Sequence, residues 1–484
     1  METADEIWVG DFFDRRREAE DLIGYLESVA GRPPIREDSR AHVLAVDTAY
    51  GHGKTFFLRR LDRHLKATEH VSAYVDAWVD DLEDQPIVAL AATLDRALEP
   101  WIAQSQAVAS GLADFKSKAG RVAKIVGGGL VKRGAAFLIT HGAAEALSDE
   151  LTKASEVARD HAKDALKDGG TGIVDDAEKA LELTSSPSMD ARISRFREGQ
   201  AAIQAMRDSL AFVVNALADA GMKLPITIIV DELDRCRPTY AIKVLEEIKH
   251  LFDVQGVAFV LGVHGGQLEH SVTAAYGNGF DGSAYLRRFF NRRYSLKPVA
   301  LLPLVEFLIE KLGINVQRLD HPPLYNLGSG TKVPNNQAAL ISSYITLYDL
   351  SARDAFAIVE ALQTAMALIG GARVQLSYLL PLIISRHKGA NELLMPSRAA
   401  PWIYIFHSGG FRVQEEPLEI AFENFLRDID KAAQQDDREL SRRINAGRDT
   451  AATIVVDYGF KNDSDNYSLL QNYRELVRAV ARFT

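Results

Sequence analysis

The chain has one cysteine in 484 residues, Cys236, which leaves no partner for an internal disulfide and no basis for a multi-cysteine metal site. A reducing, cytoplasmic setting is the expectation that follows. Positive charge is in deficit: 56 Lys and Arg stand against 66 Asp and Glu, a formal net charge of −10. That argues against a generally basic nucleic-acid binder, although local basic patches stay open. The first residues, Met1-Glu2-Thr3-Ala4-Asp5-Glu6, are acidic and lack the basic-then-apolar layout of a secretory leader. Long apolar runs are missing too. Val122–Thr140 comes nearest, and its eight Val, Ile, Leu and Phe residues favour insertion by about 2.4–4.8 kcal/mol. Lys132 and Arg133 near its middle cost roughly 5–7 kcal/mol together, and Lys124 and four glycines add to that. No transmembrane segment is expected.

What is present is ordinary globular composition, 47% apolar and 25% charged. The length is too great for one core and implies two or three domains.

One stretch organises the rest. The apolar run His42-Val43-Leu44-Ala45-Val46 ends at Asp47, and Tyr50-Gly51-His52-Gly53-Lys54-Thr55-Phe56 follows. A helical pattern with Leu58, Leu61 and Leu65 comes next. Strand, glycine-rich turn, Lys-Thr and helix make a phosphate-binding loop. Gly51 and Gly53 let backbone N–H groups close around phosphate oxygens, with His52 between them and Phe56 just beyond. The helix N-terminus adds partial positive charge. Lys54 would reach the β- and γ-phosphates, and Thr55 would ligate Mg²⁺. The full pattern asks for a glycine five places before Gly53, where this chain has Thr48. An ordinary strand-to-helix turn with an exposed lysine is the competing reading of the loop taken alone.

Residues 7–30 alternate apolar positions with acids and arginines and predict an amphipathic helix on the core, ended by Gly31-Arg32-Pro33-Pro34. Val71–Asp76 predicts a second strand, followed by Ala77-Trp78, a cluster of acids from Asp80 to Asp84, and a helix opened by Pro86. Residues 105–195 turn Ala-, Gly-, Lys- and Asp-rich and read as a helical insertion, with a disordered linker as the alternative. Pro225–Val230 is a β-branched buried strand ending at Asp231-Glu232-Leu233-Asp234-Arg235, and Pro238 opens a helix through Phe252. Val257–Val263 is another buried strand, ending at His264. Strands alternating with helices predict an α/β fold with a parallel sheet. Beyond residue 300 no comparable strand stands out, and apolar helices are predicted near 301–313, 337–349, 355–369 and 374–385.

In an open parallel sheet, ligands bind beyond the carboxyl ends of the strands. Asp231 is therefore expected to face the metal held by Thr55, through water. Glu232, one residue on, points elsewhere and is the candidate to orient or deprotonate the attacking water.

These residues carry a resemblance to the KAP family of P-loop NTPases. The loop Thr48–Thr55 is similar to that family's Gly-x-Trp-Gly-x-Gly-Lys-Ser/Thr, with Tyr50 in the tryptophan place and Thr48 departing from glycine. Asp76-Ala77-Trp78 with Pro86 resembles its N-A-W…P segment. Asp231-Glu232-Leu233-Asp234-Arg235-Cys236-Arg237-Pro238 resembles its D-D-L-D-R-C-x-P signature. The similarity runs from about residue 8 to 370 and is strongest over 225–265. It implies an ATPase of the ASCE division, related to AAA+ and STAND ATPases, whose bacterial members are linked to mobile elements and phage defence. It also implies that Asp234 fixes the metal or Arg235, and that an insertion lies between the two nucleotide motifs. No guanine-reading Asn-Lys-x-Asp is present, so ATP is expected over GTP.

Further residues have two readings each. His264 is a γ-phosphate sensor or a satisfied strand-end histidine. The run Tyr285–Tyr294 holds Arg287, Arg288, Arg292 and Arg293 between aromatics. Arg288 is the choice for an arginine finger toward a neighbouring subunit, against a nucleic-acid contact or a solvated basic helix face. Arg353 resembles the lid arginine of related ATPases, or pairs with Asp354 at a helix start. Trp78 is expected as a core anchor near the nucleotide. Trp402, Tyr404 and Phe406 read as C-terminal packing or a partner surface.

The expected architecture is an N-terminal helix (1–40), a P-loop NTPase core (41–300) and an all-α C-terminal lid domain (301–484). The expected chemistry is Mg²⁺-dependent ATP hydrolysis that drives a switch within a homo-oligomer or with defence-system partners. An ATP-gated scaffold and a small-molecule kinase are the alternatives.

Overall fold

The computed structural model describes residues 2–32, 40–129, 189–277, 279–321, 324–326, 336–397, 401–405 and 417–446, together with 451–452, 454–455, 470 and 472–483. The chain divides into two compact units. The first comprises residues 1–9, 15–48 and 54–296, and the second residues 10–14, 49–53 and 297–484.

In the first unit the described elements are α1 (Ala4–Ile7), α2 (Arg15–Ala30), β1 (His42–Asp47), α3 (Lys54–Ala67), β2 (His70–Asp76), α4 (Ala77–Asp80), α5 (Pro86–Ile102) and α6 (Gln106–Gly129). They continue with α7 (Met189–Asp219), β3 (Lys223–Asp231), α8 (Pro238–Leu251), β4 (Val257–Val263), α9 (Gly265–Tyr276), α10 (Gly282–Leu286) and β5 (Arg292–Ser295). The five strands form one parallel sheet in the order β2-β3-β4-β1-β5. β3 and β4 are continuous β-branched and apolar runs, as expected for strands covered on both faces. On one face Leu44, Val46, Ile229 and Val260 pack with Leu22 and Leu26 of α2 and with Phe57, Leu58 and Leu61 of α3. On the other, Val43, Ala45, Ile228 and Phe259 pack with α5, α6, α7 and α8.

The order decides the chemistry. β4 lies between β1, which feeds the glycine loop, and β3, which ends in the acids. Pro86 and Pro238 each occupy the first turn of a helix, where a missing N–H costs nothing. Of the 105–195 insertion, α6 and the start of α7 are described, and residues 130–188 lie outside the described residues. Leu112, Phe115 and Val122 of α6 are buried in the main core, so this part of the insertion is integral to it. Among the described residues no helix is long and apolar enough to cross a membrane.

The basic run is not one helix. Its first residues close α10, a turn follows, and Arg292–Ser295 pairs with Leu44–Asp47 as an edge strand. Two adjacent exposed arginines suit such an edge, because charge there discourages pairing with another chain.

The second unit is mainly helical: α11 (Leu301–Lys311), α12 (Gln337–Leu347), α13 (Ala352–Leu368), α14 (Leu376–His387), α15 (Phe422–Ala433), α16 (Asp437–Ala446) and α17 (Tyr473–Val480). It also carries short strands not placed from the sequence, the apolar run Pro401–Ile405 among them. β6 (Leu319–Asp320) pairs with β8 (Val374–Gln375), and β7 (Leu324–Asn326), β9 (Pro401–Ile405) and β10 (Pro417–Ala421) form a small antiparallel sheet. Strands of two to five residues are too short to show a period, so the C-terminal region is predominantly, not wholly, α. Trp402 and Tyr404 fall on β9, and Phe406 lies outside the described residues.

Candidate nucleotide site

In the first unit, α3 opens at Lys54, directly after the glycine turn. Lys54 is buried, and its Nζ lies 3.0 Å from Asp234 Oδ1. Thr55 Oγ1 donates to Glu232 Oε1 at 2.9 Å. Two contacts, each spanning about 180 residues of sequence, thus join loop lysine and threonine to the acids after β3.

The pairing differs in detail from the sequence expectation. Thr55 meets Glu232 rather than Asp231. Asp231 has no exposed surface; its Oδ1 accepts the Glu232 N–H at 2.8 Å and its Oδ2 accepts the Tyr74 hydroxyl at 2.8 Å. Asp234 holds Lys54, and Arg235 pairs instead with Glu232 Oε2 at 2.5 Å. The reason is local. Glu232 has φ of +59°, a left-handed conformation that costs a non-glycine residue about 1–2 kcal/mol. That twist turns its side chain back toward α3, and the following 3₁₀ turn, Leu233–Arg235, brings Asp234 to Lys54.

Tyr74, absent from the sequence reading, is a donor here. Burial and then the Asp231 carboxylate push its hydroxyl up, so it keeps its proton at neutral pH. Burial and the neighbouring acids also push the Cys236 thiol up, which leaves it protonated.

Other predicted residues fall as follows. His264 caps α9, its Nδ1 accepting the Gln267 N–H at 3.2 Å, so the neutral ring carries its proton on Nε2. Asp47, at the end of β1, accepts the Gly265 N–H at 2.8 Å and lies 3.8 Å from Arg293. Phe56 stacks under the Arg60 guanidinium, 3.8 Å from the ring centre. Arg288 is exposed in the turn before β5, and its carbonyl accepts Lys249 Nζ. Trp78 is not a core anchor. It is 56% exposed, because α4 is a single turn capped by Asp76 whose inward position goes to Ala77.

In the second unit, Gly51 and Gly53 have φ of +81° and +82°, which only glycine takes at no cost. Thr48 needs no such freedom, since its φ is not positive, so the missing family glycine does not disturb the backbone. A Cβ on Gly51 would sit 2.5 Å from Ser351 Oγ and 3.2 Å from Arg353 Cβ, which places exposed Arg353 beside the loop. Asp354 does not pair with Arg353. It accepts from Ser351 and His387, and although burial pushes its carboxyl up, those hydrogen bonds hold it below the usual range.

Among the described residues no group of three His, Cys, Asp or Glu side chains is placed to hold a metal by itself. The donor set instead suits a cation that arrives with phosphates: one hydroxyl, one or two carboxylates, and the buried Asp234 Oδ2, which has no hydrogen-bond partner among the described residues. Mg²⁺ fits that set.

A family model described as the KAP family P-loop domain matches residues 15–318, more than half of the chain. The chain belongs to the KAP family of P-loop NTPases. Its sheet has the additional strand between loop strand and acid strand that gives the ASCE division part of its name. Membership makes this KAP chain a nucleotide-binding NTPase by family. Among solved structures, the ORC2 protein of Aeropyrum pernix, in ADPNP–ADP complexes, matches over 78% of this chain and 75% of its own. That match has 11% identity and a TM-score of 0.29. No curated protein matches the chain significantly.

Proposed function

We propose that this KAP protein is a Mg²⁺-dependent ATPase whose turnover switches an assembly of its own copies or of partner proteins. The observation that carries this is the pair of contacts Lys54–Asp234 and Thr55–Glu232, with Glu232 held in a left-handed conformation. Strain of that kind persists where the surroundings over-determine it, and it clusters at active sites.

In the reading we favour, Gly51 and Gly53 present backbone N–H groups to the phosphates. Lys54 would exchange Asp234 for phosphate oxygens, and the Thr55 hydroxyl would help hold the cation. Bound Mg²⁺ would supply charge neutralisation on the transferring phosphoryl group. Asp231 would help hold the cation, and Glu232, released from Thr55, would accept a proton from the attacking water. Arg353 beside Gly51, and His264 through its Nε2–H, are candidates to report γ-phosphate. Arg288 remains the candidate finger toward a neighbouring copy. The biological setting the family implies is defence against phage, which predicts protection lost with Lys54→Ala in cells.

ATP hydrolysis by the purified protein beside Glu232→Gln and Lys54→Ala tests this. Wild type should turn over, Glu232→Gln should bind ATP with turnover lowered about 10²–10⁴-fold, and Lys54→Ala should bind poorly. Wild-type ATP binding without phosphate release, with or without partners, overturns hydrolysis. It would favour the ATP-gated scaffold, which has one observation of its own: both Glu232 oxygens are engaged, by Thr55 and Arg235. Phosphate release without an acceptor rejects a small-molecule kinase.

A further inference from the structure

We infer that Tyr74 is a positioning residue for Asp231, setting how tightly the nucleotide site takes its divalent cation. This rests on the reading that Asp231 faces that cation.

β2 and β3 run parallel, with Tyr74 opposite Ile229 and Asp76 opposite Asp231. From that register the Tyr74 phenol reaches along the sheet and donates to Asp231 Oδ2 at 2.8 Å. The other oxygen, Oδ1, accepts the Glu232 N–H at 2.8 Å. The far side is closed by β4. A Cβ on Gly262 would lie 2.7 Å from Asp231 Oδ1 and 2.4 Å from Leu58 Cδ1. The carboxylate is therefore fixed from both neighbouring strands and from its own backbone. Each carboxylate oxygen accepts about two hydrogen bonds. Each has accepted one here, so the two contacts leave half of the carboxylate's acceptor capacity unused. Tyr74 thus orients the group without consuming it.

The hydroxyl is itself held. Arg59 Nε donates to it at 3.4 Å, and the Arg59 guanidinium lies 3.8 Å from Asp76. Arg59 sits one helical turn beyond Thr55 on α3. The chain Arg59–Tyr74–Asp231 therefore ties the helix that bears the proposed hydroxyl ligand to the strand that bears the proposed acid. A phenylalanine at 74 would keep the packing against the core cluster that includes Ile229, its neighbour on β3, and lose only this tie. Partners that orient metal-facing ligands typically contribute 10–100-fold in affinity.

The test uses full-length protein and a fluorescent, non-hydrolysable ATP analogue. Binding is titrated in EDTA and then against Mg²⁺ and Mn²⁺, with Mn²⁺ also followed by EPR. Tyr74→Phe should bind the analogue in EDTA as wild type does. Its half-saturating Mg²⁺ and Mn²⁺ should rise about 10-fold or more, with a smaller rise for Arg59→Gln. Metal dependence in Tyr74→Phe equal to that of a metal-responsive wild type overturns the positioning role and leaves the nucleotide site standing. A wild type whose analogue binding ignores both metals, or ignores Lys54→Ala, overturns both.

Discussion

Two glycines two positions apart do different work. Gly51 and Gly53 share a left-handed φ near 80°, but a side chain at Gly53 would enter open space, whereas one at Gly51 would meet Ser351. Gly53→Ala should therefore destabilise the nucleotide-free protein by the conformational term alone, about 1 kcal/mol. Gly51→Ala should cost about 1–3 kcal/mol more through overpacking, which calorimetry of the two variants would resolve. Glu232 pays in the same currency for a different end, since its twist is what aims the carboxylate at Thr55. At this scale the sequence showed which residue types carry chemistry, and it placed Lys54, Thr55, Asp231 and Glu232 in one neighbourhood. It did not show which acid meets which donor. That depends on a backbone twist at one residue, and glutamate has no special preference for it.

At the scale of elements, α8 packs Glu247 against the start of α5, where Gln85 provides no side-chain cap. No side chain among the described residues hydrogen-bonds either carboxylate oxygen of Glu247, and the nearest donor is the Ile87 N–H. Burial raises its pKa from 4.5 to about 7, and Lys243 and the Ile87 N–H offset this only in part. The folded protein then holds the proton more tightly than the unfolded chain. Its contribution to stability is full below pH 4.5 and is lost as pH rises through about 7. Glu247→Gln should stabilise the protein by roughly 1–3 kcal/mol at pH 8 and little at pH 4, as read from urea midpoints at the two pH values. In the second unit, Ser351 and Asp354 form a capping box at the start of α13. Ser351→Ala should cost about 1 kcal/mol, measured by the same midpoints. Helix starts at Pro86 and Pro238 were legible because proline's fixed φ is local. The edge strand Arg292–Ser295 was not, because its four residues are shaped by pairing with β1.

For the whole molecule, two compact units mean that unfolding need not be two-state. Ligand binding to the folded form alone adds RT ln(1 + [L]/Kd), about 2.7 kcal/mol at a hundredfold excess over Kd. ATP with Mg²⁺ at that excess should raise the transition of wild type by about 5–10 °C. Lys54→Ala should show a much smaller shift, and a scan of both proteins with and without nucleotide checks it.

The amino-acid sequence by itself determined the glycine loop, the acid strand, the alternation that makes a parallel sheet, and the family. Those features are carried by short-range rules: which residues turn, which cap, and which recur at period two or near four. Only the tertiary structure decided that Lys54 pairs with Asp234 and Thr55 with Glu232, that Tyr74 holds Asp231, that Gly262 leaves room for it, and that Trp78 faces outward. The Lys54, Thr55, Tyr74 and Gly262 contacts join segments some 30 to 180 residues apart that strand order and register bring together, and the twist at Glu232 then selects which acid meets which donor. A one-residue slip in that register would turn every side chain of a strand to the other face.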